Sequence, residues 1–255
     1  MTERERLYRT EGIVLKRSDL GEADRLLVLF TPELGKLRVV AKGVRKVPSR
    51  KAGHVEPFMR SHFLLARGRE LDIVTQADTI EAYAGLRHDL VRTSYACYLA
   101  ELVDAFAEEG GENPALYRLL GSGLGHLAAG DEPALLARHF ELRLLDLVGY
   151  RPELKRCVAC GAAHEPGPAI FCHSEGGLRC RRCSSGAGTE VSLAAFKVLR
   201  FLQGQEYEAV RTLRLRHETL REVEHLLRRY LGSILERNLR SVPFLSRVCE
   251  AGNGS

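Results

Sequence analysis

Two Cys-x2-Cys pairs, Cys157-Val158-Ala159-Cys160 and Cys180-Arg181-Arg182-Cys183, constrain this chain more than any other feature. Each such turn presents two sulfurs from one tight loop. Two of them, with nineteen residues between, complete a tetrahedron of thiolates of the kind that holds zinc. Any fold must therefore bring residues 157–160 and 180–183 together. With Cys157, Cys160, Cys180 and Cys183 all engaged, no position is left for water or substrate, so the expected cofactor is one structural Zn2+ per chain. Thiolates bind zinc only when deprotonated, which couples folding of this segment to pH and to chelators. Cys172, His164 and His173 lie nearby, and spacing leaves open whether one of them replaces a pair member.

Five of the seven cysteines fall between Cys157 and Cys183, which argues for metal in a reducing compartment over a distributed disulfide framework. No apolar run approaches the roughly 20 residues that span a bilayer, and Met1-Thr2-Glu3-Arg4-Glu5-Arg6 lacks the apolar stretch of a secretory signal. The cytoplasm is the expected location.

The first eighty residues read as strands. Tyr8 to Lys16, Asp24 to Thr31, Gly35 to Lys42, Met59 to Ala66 and Glu70 to Ala77 are rich in β-branched and aromatic residues and are separated by turn chemistry such as Pro32-Glu33-Leu34-Gly35. Leu26-Leu27-Val28-Leu29-Phe30 is apolar on both alternations, which predicts a strand buried on both faces. Five strands in so short a span predict a small barrel of the OB type over residues 1–80. From Leu34 to Arg69 ten basic residues face one acid, Glu56. The densest part, Lys42 to Lys51, carries Gly, Pro and Ser and reads as a mobile loop whose side chains reach phosphates. Lys36, Arg38, Lys42, Arg45, Lys46, Arg50 and Lys51 are the candidate DNA-binding residues. Aromatic residues are few here, so phosphate contacts should dominate, with little base preference and a steep salt dependence.

Beyond Asp78 the apolar period changes to three and four, as in Leu99, Leu102, Val103 and Phe106. Amphipathic helices are predicted over Arg92 to Glu109, Pro114 to Leu127, Glu132 to Val148, Ser192 to Gln203 and His217 to Leu239, with Asn113 and Asp131 as candidate caps. The last carries Arg216, Arg221, Arg228, Arg229, Arg237 and Arg240, either a solvated face or a second polyanion contact. The predicted architecture is α+β and multidomain: a barrel over 1–80 and a helical domain over 81–255 with a four-cysteine zinc finger inserted at about 151–190.

Charge is uneven. Residues 1–80 carry 16 Lys+Arg against 11 Asp+Glu, residues 81–150 carry 5 against 11, and residues 151–255 carry 17 against 11. Basic ends and an acidic middle suit a chain that holds an anionic polymer on one face and a protein on another. Catalytic readings fail on detail. His54-Val55-Glu56 with a distant Cys-x2-Cys is only a loose echo of zinc deaminases, because Arg156 and not proline precedes Cys157. No Gly-x4-Gly-Lys-Ser/Thr is present, and Gly121-Ser122-Gly123-Leu124-Gly125 follows no strand, so its small residues read as helix packing.

Taken in order, Thr10-Glu11-Gly12-Ile13-Val14-Leu15, Gly21-Glu22-Ala23-Asp24-Arg25-Leu26, Ala41-Lys42-Gly43-Val44-Arg45, Phe140-Glu141-Leu142-Arg143-Leu144-Leu145, Gly149-Tyr150-Arg151-Pro152 and the cysteine pairs resemble the bacterial RecO recombination-mediator family over roughly residues 8–245. The resemblance implies an OB-fold domain, a helical domain with an inserted zinc finger, and no enzymatic turnover. It further implies binding of single- and double-stranded DNA, strand annealing, and work with RecR, and in some bacteria RecF and single-strand-binding protein, to load RecA at the nucleoid. Some members lack the cysteines, so zinc is implied here by the residues themselves. The competing readings are a zinc-ribbon protein-interaction or RNA-binding factor, and an oxidoreductase that cycles Cys-x2-Cys.

Overall fold

Alternation of inward and outward side chains decides the first part of the chain. In the computed structural model, which describes residues 6–46, 49, 51–165, 167, 169–184, 188–236 and 239–252, five strands form: β1 (Leu7–Leu20), β2 (Asp24–Thr31), β3 (Gly35–Ala41), β4 (Arg60–Ala66) and β5 (Asp72–Glu81). They form one OB-like sheet in the order β1-β2-β3-β5-β4, and β4 pairs back on β1, so the sheet closes. All joins are antiparallel except the short parallel one between β3 and β5. Val14, Leu27, Leu29, Val39, Phe63, Leu65 and Val74 fill the interior. A register shift between Val14 and Lys16 lets Ile13, Val14 and Leu15 all be buried on one strand.

The outer face is only partly covered. Phe30 is fully buried there, its ring 6.0 Å from that of Tyr117, whereas Leu26 and Val28 are half-exposed. The β2 strand predicted to be buried on both faces is therefore buried outside at one end only. The cover comes from α1 (Leu90–Phe106) and α2 (Pro114–Ala129). Gly121 and Gly125 let α2 approach Tyr83 and Ile13, so the glycine run does serve packing. Asn113 caps α2 by accepting from the Leu116 amide at 2.9 Å.

The chain divides into two compact units. One reaches to Gly130 and takes in the residues from Pro243 on; the other is Asp131–Val242. The unit holding the strands thus includes α1, α2 and nearly all of the chain's last helix, Ser241–Gly252.

The second unit contains α3 (Pro133–Leu147), β6 (Ala169–Cys172), β7 (Gly177–Arg179), β8 (Thr189–Val191), α4 (Leu193–Gly204), the single turn α5 (Tyr207–Val210) and α6 (His217–Leu235). The helix over Ser241–Gly252, α7, lies outside the five helices expected from the sequence and belongs from Pro243 on to the first unit. Glu132, not Asp131, caps α3, accepting from the amides of Ala134 and Leu135. Nor is α3 amphipathic: Leu135 to Leu142 are all buried, including Arg138, His139 and Glu141. Arg138 pairs with Glu141 at 2.8 Å, and Arg228 with Glu224 at 2.7 Å on α6, which packs on α3. Val223, Leu226, Leu227, Tyr230 and Leu231 form the buried stripe of α6. The small sheet β7-β6-β8 places Phe171, fully buried, edge-on to Tyr230 at 5.2 Å.

Candidate metal centre and nucleic-acid interface

The two cysteine turns are brought together by backbone pairing around β7. Val158 donates its amide to Leu178 at 2.9 Å, Leu178 to Glu153 at 3.0 Å, and Glu153 to Gly176 at 2.9 Å. Each knuckle closes on itself, Gly161 donating to the Cys157 carbonyl at 2.8 Å and Cys183 to that of Cys180 at 3.0 Å. Gly161 has φ +72°, the left-handed conformation that lets the first knuckle turn back.

The four Sγ atoms of Cys157, Cys160, Cys180 and Cys183 lie within 4.8 Å of one another. Cys160 and Cys180 are 3.9 Å apart, near the ~3.8 Å edge of a tetrahedron with Zn–S bonds of about 2.3 Å. Burial opposes ionisation of Cys157, but amides led by that of Cys180, 3.3 Å from its Sγ, outweigh it and bring the thiol down to about 6. The donor set and its spacing fit a divalent metal of zinc type.

The other nearby candidates point elsewhere. The Cys172 thiol meets the Ser174 hydroxyl at 3.4 Å, His173 Nε2 meets the Thr189 hydroxyl at 2.8 Å, and the His164 ring lies 6.1 Å from that of Phe196.

The basic segment divides by environment. Arg38, Lys42 and Lys46 are exposed. Lys36 is not free: its Nζ donates to the Asp104 carbonyl near the end of α1 at 2.7 Å and sits 3.3 Å from that residue's carboxylate. Lys51 donates to the Val74 carbonyl at 2.9 Å, and burial holds its ammonium below the usual lysine range. Arg45 donates to the Gly21 carbonyl at 3.1 Å and lies 3.5 Å from Asp19. Arg50 lies outside the described residues.

Residues 42–46 form a turn pinned to the β1–β2 hairpin. The Gly43 amide donates to the Asp24 carboxylate at 2.7 Å, and the Arg45 amide to the Ala23 carbonyl at 3.0 Å. The stretches Gly21-Glu22-Ala23-Asp24 and Ala41-Lys42-Gly43-Val44-Arg45, twenty residues apart, are two halves of this contact. The described part of the expected mobile loop is thus anchored through its backbone. Glu56, the one acid of the basic segment, draws in Arg17 at 2.5 Å and Arg25 at 2.9 Å.

Strand register adds a residue that sequence reading did not single out. Lys16 pairs with Val28, and Val28 with Arg38, so these three stand in a row across β1, β2 and β3 on the outer face. Lys16 and Arg38 are exposed at its ends. The register shift beside Val14 sets Lys16 on that face, and no local signal discloses it. Among the described residues no exposed Phe or Tyr ring joins them: Phe30, Phe58 and Phe63 are buried, and Tyr8 bonds Asp72 beneath the guanidinium of Arg67, 5.0 Å from its centroid.

A closed OB-like sheet carrying a cationic row, a helical second unit and four cysteines placed to hold a metal ion define a mixed α+β protein. Comparison with known proteins agrees. The family model described as Recombination protein O N terminal matches residues 4–83, and that described as Recombination protein O C terminal matches residues 87–243. Over 247 residues, 96% of this chain and 87% of the relative, the chain is 47% identical to the DNA repair protein RecO of Roseiflexus sp. (strain RS-1). It is 42% identical to that of Pelotomaculum thermopropionicum over 98% of both chains, and 35% identical to that of Dehalococcoides mccartyi (strain BAV1) over 94% of this chain and 96% of the relative. The chain belongs to the RecO family of DNA repair proteins. Among the described residues, no helix is long and apolar enough to cross a membrane.

Proposed function

We propose that this chain is a non-enzymatic recombination mediator that binds single- and double-stranded DNA through an OB-type barrel, anneals complementary strands, and works with RecR to load RecA, with RecF and single-strand-binding protein as further partners. The observation that carries this reading is the cationic row Lys16–Val28–Arg38, continued by exposed Lys42 and Lys46 on the pinned turn. Lys16 and Arg38 are held on strands and Lys42 and Lys46 on the pinned turn, and among the described residues none of the four pairs with a carboxylate, unlike Lys36. Phosphates laid along them would release condensed counterions, which drives binding with little regard to sequence. Neutralising one backbone also lowers its repulsion of a complementary strand, the physical basis for annealing.

In this reading Cys157, Cys160, Cys180 and Cys183 hold one Zn2+ that staples the finger at about 151–190 and supplies no chemistry to a substrate. Cytoplasmic, nucleoid-associated work follows from DNA as the partner. The test is an annealing assay on complementary labelled oligonucleotides, with and without RecR, run beside competition between DNA and RNA of equal length. Annealing that depends on protein and responds to RecR is expected. A chain that anneals nothing and prefers RNA would instead fit an RNA-binding factor.

A further inference from the structure

The loop that leaves α3, Gly149-Tyr150-Arg151, meets the turn between β6 and β7 and the last turns of α6 around a cleft of about 790 Å3. That volume suits a nucleotide-sized ligand. Tyr150 lines it with 48% of its surface exposed, and its carbonyl accepts from the Tyr230 hydroxyl at 3.1 Å, which fixes the loop. Arg151 lines the cleft from the same loop and Arg229 from α6, the latter exposed.

Charge in the cleft is positive. Asp146 takes one side of Arg151 at 2.8 Å, and Glu175, which also lines the cleft, is gripped by Arg179. His173 lies at the wall with Nδ1 unpartnered among the described residues. Burial first, then Arg229 and His225 on α6, hold its imidazole below the ordinary histidine range. Glycines keep the walls clear: at Gly176, φ +67°, a Cβ would stand 2.6 Å from the Tyr230 hydroxyl.

We propose that this cleft is a second contact for single-stranded nucleic acid, one base stacking on Tyr150 while the adjoining phosphate lies between Arg151 and Arg229. The inference rests on the reading of this chain as a DNA-binding protein and adds what the strand face lacks. There, cations are exposed and the four aromatic rings are buried or covered; here, one half-exposed ring stands among arginines. Stacking is sequence-tolerant, because every base offers a π-face, and arginine beside the ring adds cation–π attraction. An acidic peptide would use the same arginines but gain nothing from the ring.

The chain has no tryptophan, so Tyr150→Trp installs a single reporter. Full-length Tyr150→Trp is titrated with fluorescein-labelled oligothymidylate, following tryptophan emission and fluorescein anisotropy together, with parallel titrations of thymidine monophosphate, inorganic phosphate and a poly-glutamate peptide. Emission should be quenched in step with the rise in anisotropy, weakly by the monophosphate, and not by phosphate or peptide. Tyr150→Ala should weaken oligonucleotide binding about tenfold and Tyr150→Phe should not. If Tyr150→Ala does not fold, Arg229→Glu at an exposed position should show a comparable loss. Anisotropy that rises while emission stays constant, parental affinity in Tyr150→Ala or in Arg229→Glu, or quenching by the peptide alone overturns the site and leaves DNA binding standing. No anisotropy change in the parent chain removes the DNA-binding reading itself.

Discussion

Tyr117 on α2 donates its hydroxyl to Oε1 of Glu11 on β1 at 2.8 Å, and the same oxygen accepts from Nε of Arg60 on β4 at 2.6 Å. One carboxylate thereby ties a helix to the two strands that close the sheet. Burial alone would raise its pKa, but the hydrogen bonds from Arg60 and Tyr117 outweigh that and hold the carboxyl below the usual glutamate range.

Stability should follow the state of Glu11. Its folded pKa is depressed, so its contribution is present in full above the unfolded value of about 4.3 and is lost as pH falls through the folded value. Tyr117→Phe should cost about 1 kcal/mol and Glu11→Gln somewhat more. Urea melts of the parent and Glu11→Gln at neutral pH and near pH 3 provide the check, and the gap between them should narrow in acid. A gap independent of pH would show that the charge is not the source.

The basic segment should split in two under mutation. Arg38→Glu, Lys42→Glu and Lys46→Glu together should weaken single-strand binding and flatten its salt slope by roughly 0.7 for each phosphate no longer neutralised. Lys36→Met should leave that slope nearly unchanged and lower stability by about 1 kcal/mol, because it removes a cation from the end of α1. Binding isotherms from low to high salt, paired with thermal melts, separate the groups. Equal flattening in both would mean that Lys36 leaves Asp104 to meet DNA.

Metal removal should act locally. Purified chain should carry about one zinc, and Cys157→Ser with Cys160→Ser should lose it, as should treatment with a strong chelator. Metal analysis with amide hydrogen exchange is the measurement: protection should fall across residues 153–180, while the strands of the other unit stay protected. Uniform loss across the chain would contradict a local staple.

Gly35 turns the β2–β3 hairpin with φ +60°, and a Cβ there would stand 2.3 Å from the Gly111 carbonyl oxygen. Lys36 donates its amide to the Glu108 carbonyl at 3.1 Å beside it. Gly35→Ala should therefore destabilise by more than ~2 kcal/mol, against under ~1 kcal/mol for Gly53→Ala, where nothing lies within 4 Å. Denaturant midpoints of the two variants decide it, and equal midpoints would refute the packing argument.

Strand and helix positions were legible wherever a period was local. β2 runs over Asp24–Thr31 as its sequence pattern predicts, and α2 starts at Pro114 behind the Asn113 cap. Likewise, the grouping of Cys157, Cys160, Cys180 and Cys183 follows from spacing, since two tight turns so few residues apart leave the sulfurs few other places to go. What composition could not disclose was which lysines and arginines are engaged. Lys36 and Arg38 are two residues apart on one strand, yet Lys36 meets Asp104 and Arg38 faces solvent. That difference depends on where α1 ends, sixty-eight residues on. In the same way, a register shift on β1 sets Lys16 beside Val28 and Arg38, and packing between α3 and its neighbours buries Arg138 and Glu141 on a helix whose pattern reads as amphipathic. Local chemistry, carried by periods, turns and ligand spacing, was determined by the sequence. The partner of each charge was decided only by the tertiary structure, because a cation's role is set by the nearest oxygen, and that oxygen arrives from elsewhere in the chain.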